Sequence, residues 1–68
     1  MSDEERRDLI IKVAYHIIET GDSYQATADH FGISNATVAD YINNRLERTD
    51  SRVYKAVREV VEKNNRRT

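Results

Sequence analysis

The stretch His30–Ile42, "HFGISNATVADYI", decides how this chain folds. Gly32 separates two short apolar-patterned runs, and Ser34 follows it as a helix-capping residue. A glycine reaches the left-handed backbone region that ends one helix, and a serine oxygen starts the next by accepting an orphan backbone N–H. Ala28 stands four residues before Gly32 and Val38 six after it. A small residue, a turn glycine and a β-branched residue at these intervals let two helices cross closely. This spacing predicts a helix-turn-helix, with helices over 23–31 and 35–45. An ordinary helical hairpin needs apolar positions but not these three residue types together.

Outward from this stretch the chain reads as helix throughout, with no proline and no alternating β-branched run. "SDEE" at 2–5 is a capping box, with an acidic first turn that suits the positive end of the helix dipole. Ile10, Val13, Ala14, Ile17 and Ile18 recur at helical spacing, with Leu9 and Ile11 widening the stripe, and Gly21 ends the first helix. Ser23 caps the second. In the third, Val38, Tyr41 and Ile42 face inward, with Leu46 beyond. Thr49 or Asp50 caps a last helix that buries Val53, Val57, Val60 and Val61. The expected fold is all-α, a four-helix domain containing a helix-turn-helix over residues 1–64, with a short basic tail at 65–68.

The chain has 68 residues, which suits one small core and leaves little to enclose a deep pocket. It has no cysteine, so disulfides and thiolate metal sites are excluded. No apolar run exceeds three residues, so no membrane span is expected, and a cytoplasmic, nucleoid-associated location follows. His16 and His30 stand on different helices and read as solvated surface residues. No Walker loop, G-x-S-x-G or H-E-x-x-H is present, so neither an enzyme nor a cofactor is expected. Core packing accounts for most of the tyrosines, Tyr15, Tyr24, Tyr41 and Tyr54, better than base stacking does. Net charge is −1, but residues 1–44 carry −5 and residues 45–68 carry +4. That asymmetry describes an acidic body beside a basic C-terminal arm.

In a helix-turn-helix the start of the second helix meets base edges in the major groove. With Val38 inward, the outer face here is Ala36, Ala39, Asp40 and Asn43, and Asn35 projects from the first turn. Asn35 can pair with adenine, and the two alanines let the helix sink and touch thymine methyls. Thr37 and Asn44 flank this face, within reach of phosphates. Base contacts specify while phosphate contacts supply affinity, so this helix need not be basic. Affinity is expected from Arg45, Arg48, Arg52, Arg66 and Arg67, and from the start of the second helix at Ser23. Asp40 could accept from a cytosine amino group, or orient Asn43 or a nearby arginine.

The segment "IIKVAYHIIETGDSYQATADHFGISNATVADYINNRL" resembles the stage III sporulation protein D family of bacterial transcriptional regulators. The likeness lies in "IxET" closing the first helix, "FGxS" at the turn, "ATV" in the third helix and the closing "RL". It spans roughly residues 6–64, with "VYKAVREVVEKN" similar to the family's fourth helix. The resemblance implies a monomer that binds double-stranded DNA and regulates sporulation genes, with RNA polymerase a further candidate partner. It implies base contacts from Ser34, Asn35, Ala36, Ala39, Asp40 and Asn43. It also implies phosphate contacts from the start of the second helix, Ser23, Tyr24 and Gln25, and from the C-terminal arginines. The family pattern carries lysine where this chain has Asn35 and Asp40. The alternative is a protein-interaction module that keeps the fold and docks through the acidic first helix.

Overall fold

The computed structural model describes residues 2–66, with side chains through Lys63. Helices α1 (Asp3–Thr20) and α2 (Tyr24–Phe31) come first. A third rod follows, made of α3 (Asn35–Asp40), a π turn (Tyr41–Arg45) and α4 (Leu46–Thr49). The last helix is α5 (Ser51–Arg66). The described residues contain no strand, so the fold is all-α.

Side-chain caps place the starts of α1, α2, α3 and α5. Ser2 Oγ accepts from the Glu5 N–H at 3.2 Å, and the Glu5 carboxylate accepts from the Ser2 N–H at 3.4 Å. Ser23 Oγ accepts from Ala26 and Ser34 Oγ from Thr37. Asp50, not Thr49, opens α5: its Oδ1 accepts from the N–H groups of Arg52 and Val53. At the central turn Gly32 has φ +69°, and the Ile33 N–H closes back on the Ala28 carbonyl at 3.0 Å. A Cβ on Gly32 would meet no atom within 4 Å. The glycine is therefore required by its backbone angle and not by crowding.

The third rod overruns its expected end at Arg45 and continues to Thr49. Asp40, Tyr41, Arg45 and Leu46 all keep right-handed helical angles. The Leu46 N–H bonds the Tyr41 carbonyl five residues back, so the turn holds one residue more than an α-turn. With no glycine or proline between Arg45 and Asp50, the chain has no reason to stop earlier. The wide turn leaves Leu46 in the core and Arg45 at the surface.

The core draws Ile10, Val13, Ala14 and Ile17 from α1, Ala28 from α2, Val38, Tyr41, Ile42 and Leu46 from the rod, and Val53 and Val57 from α5. Each fully buried aliphatic side chain contributes about 1.5–3 kcal/mol before the entropy of ordering it. Ala28 and Val38 are both 0% exposed, as the close crossing of α2 and α3 requires. Val60 and Val61 are only half-buried, contrary to expectation, and pack on the margin of the core. Val61 borders an open cleft, which leaves it one uncovered side. Of the four tyrosines Tyr15 is the one that stays 49% exposed, while Tyr41 is buried and Tyr24 and Tyr54 pack partly against the core. Thr27 is fully buried, and its hydroxyl has no hydrogen-bond partner among the described residues.

Candidate functional site

Two surface concavities gather six of the residues singled out in the sequence: Ser23, Tyr24, Gln25 and Asn35 in one, Arg45 and Arg48 in the other. The larger lies where α2 begins. Ser23, Tyr24 and Gln25 line it with Asn35 from the start of α3 and Val61 from α5. The two capped helix starts therefore open on one surface, with their first-turn N–H groups beside it. Ser34 Oγ is occupied as a cap and shares a 2.7 Å hydrogen bond with the Thr37 hydroxyl. Gln25 donates to Asp29 at 3.1 Å. Along the outer side of the rod, Asn35, Ala36, Asn43 and Asn44 are exposed and Ala39 is half-buried.

Asn43 is tied to two other elements. The Tyr24 hydroxyl and the Arg58 guanidinium both donate toward its Oδ1, at 3.4 and 3.5 Å. A guanidinium can only donate, so the atom facing it is the amide oxygen. Burial pushes the Tyr24 phenol up from its ordinary range, and the nearby Arg58 charge partly opposes this. Arg58 did not stand out in the sequence, where it is one basic residue among eight in the C-terminal arm.

Asp40 orients an arginine, as one of its sequence readings allowed, although its amide partner is Asn44 and not Asn43. Its Oδ2 accepts from Arg45 Nε at 2.9 Å and its Oδ1 from Asn44 Nδ2 at 3.0 Å. The hydrogen bond from Arg45, and then that from Asn44, hold the carboxyl below the usual carboxylate range. The same pairing raises Arg45. Both side chains stay about half exposed, so solvent screens the pair.

The second concavity lies beyond this pair. Arg45 and Arg48 line it from the far end of the rod, and Arg6 and Arg7 from the start of α1. The sequence placed Arg6 and Arg7 in an acidic half, whereas folding sets them against the basic one. Arg52 lines neither concavity among the described residues, although it too is exposed. The side chain of Arg66, and Arg67 as a whole, lie outside the described residues.

The two histidines are not isolated. Their rings stack at 4.4 Å, and Phe31 packs edge-on against both. The His16 ring nitrogen lies 2.9 Å from Asp22, and its side chain is only 14% exposed. Packing of α1 on α2 joins what sequence distance separates, and no i, i+4 pattern announces it. The cluster braces the 21–23 turn that delivers the α2 cap.

This fold, with Ala28 and Val38 fully buried on packed helices α2 and α3 and a capped second helix of the pair, defines a small helix-turn-helix protein. The chain belongs to the stage III sporulation protein D family, whose family model matches residues 4–68. That family is one of sporulation-associated regulators. Searches of curated proteins and of solved structures gave no match. No helix among the described residues is long and apolar enough to cross a membrane.

Proposed function

We propose that this chain is a sequence-specific regulator of sporulation genes that binds duplex DNA as a monomer, through a domain at 1–64 and a basic tail at 65–68. One observation carries the reading: the starts of α2 and α3, at Ser23–Gln25 and Asn35, open on the same surface. In this arrangement α3 and the π turn enter the major groove. Asn35, Ala36, Ala39 and Asn43 meet base edges, with Ser34 at the helix start. Ser23, Tyr24 and Gln25 meet the backbone on one flank, where the α2 N–H groups favour an anion. Thr37, Asn44, Arg45, Arg48, Arg52, Arg66 and Arg67 supply further phosphate contacts. Asp40 acts on Arg45 and Asn44 instead of on a base.

Selection of bound duplexes from a random pool tests this reading. A shared short sequence is expected, and Asn35→Ala should relax one position of it by about 1–3 kcal/mol. A pool that does not converge would reject it. A second reading, a protein partner docking on the acidic α1, is favoured by Tyr15, which stands half exposed there. Salt separates the two, since DNA binding weakens steeply with added salt and an apolar contact does not.

A further inference from the structure

Four arginines from opposite parts of the chain line one hollow: Arg6 and Arg7 from α1, Arg45 and Arg48 from the end of the rod. Asp3 is the only carboxylate lining it among the described residues. The side chains of Arg6, Arg7 and Arg48 make no ion pair or hydrogen bond among the described residues, and only Arg45 is paired, with Asp40. Like charges gathered without partners repel, and a bound anion removes that cost. Guanidinium groups match phosphate oxygens in a two-pronged geometry, which favours phosphate over a simple halide.

We infer that this hollow is a phosphate site and that the DNA backbone supplies the phosphate, an assignment that rests on the proposed function. The rod supports that source. Asn35 and Arg45 are ten residues apart, roughly 15 Å along a helix, against a major groove about 12 Å wide. The α2 cleft and the arginine hollow thus lie at opposite ends of the segment proposed to enter the groove. The cleft faces one strand's backbone and the hollow the other's. Arg6 and Arg7 extend the phosphate track onto α1, where the net charge of the N-terminal half hides it.

The test has two arms. In the first, the intact protein is titrated with pyrophosphate while the arginine Nε–Hε signals are followed by NMR. Those of Arg6, Arg7, Arg45 and Arg48 are expected to move together, and no movement would overturn the site. In the second, Arg6→Gln/Arg7→Gln is compared with the parent on one selected duplex across a range of salt. The double variant should bind that duplex more weakly and lose about one to two units of salt slope, one per phosphate contact removed. If pyrophosphate shifts the signals but the double variant keeps the parent's duplex affinity and slope, the site takes a free phosphate compound and the DNA assignment is overturned. If the parent itself binds no duplex, the proposed function fails and the DNA assignment with it, while the pyrophosphate arm still decides whether the hollow binds phosphate. The melting temperature of the double variant, measured beside the parent's, excludes loss of folding as the cause of weaker binding.

Discussion

Asp40 and Arg45 are joined at 2.9 Å across the π turn, five residues apart, a spacing that an ordinary α-turn does not bring into register. The pair explains how a carboxylate sits on a surface proposed to face phosphates: Arg45 offsets its charge locally. Asp40→Asn removes the charge and releases Arg45. Binding to random duplex should rise about two- to fivefold, the range of one exposed charge. Asp40→Lys should raise it further and steepen the salt slope. The carboxyl is lowered in the folded state, so its contribution to stability is complete above about pH 4 and is lost as pH falls through the lowered value. Acid unfolding curves of Asp40→Asn should lack that part of the parent's dependence below about pH 4. Identical curves would remove the pair from the account.

Thr27 should be better replaced by valine. Its hydroxyl is buried without a partner among the described residues, and valine has nearly the same shape without the polar atom. Relieving an unpaired buried hydroxyl is worth about 1 kcal/mol, or a rise of roughly 4–8 °C in melting temperature for a domain of this size. A lower melting temperature would mean that the hydroxyl has a bonding role.

Ala28→Leu should do the reverse. Both Ala28 and Val38 are fully buried where α2 crosses α3, so extra methyl groups must separate the helices. Overpacking costs about 1–3 kcal/mol and should show in chemical denaturation. An unchanged midpoint would contradict the close crossing.

Arg58→Met tests how Asn43 is oriented. With its oxygen held by Arg58 and Tyr24, Asn43 offers the groove its amino group, which suits guanine or thymine acceptors. Adenine needs the oxygen as well. With only the Tyr24 hydroxyl left on that oxygen, the amide is held less firmly and adenine should be better accepted at that position, narrowing discrimination by up to about 1–3 kcal/mol. Base preference measured on a panel of single-position variants of the selected duplex checks this, and an unaltered preference would sink it.

The helix starts were legible because each rests on a local pattern. Ser2 with Glu5, Ser23, and Ser34 after Gly32 all cap within three residues of their partners. The Ala28–Gly32–Val38 spacing likewise encodes the crossing within eleven residues. The π turn was hidden, since no residue type in "YINNR" demands the extra residue. The His16–His30 stack and the meeting of Arg6 and Arg7 with Arg45 and Arg48 were hidden for another reason. They join residues 14 to about 40 positions apart, and only the packing of α1 on the rest of the chain brings them together.

In the proposed complex α3 and its π turn lie in the major groove between two rows of phosphate contacts. The most direct measurement of that placement is the dissociation constant for a selected duplex and a scrambled one, each over a range of salt concentrations. A log–log slope of several units is expected for both, about 0.9 per phosphate neutralised, with the selected duplex bound far more tightly throughout. A slope near zero, or equal affinity for the two duplexes, would contradict it.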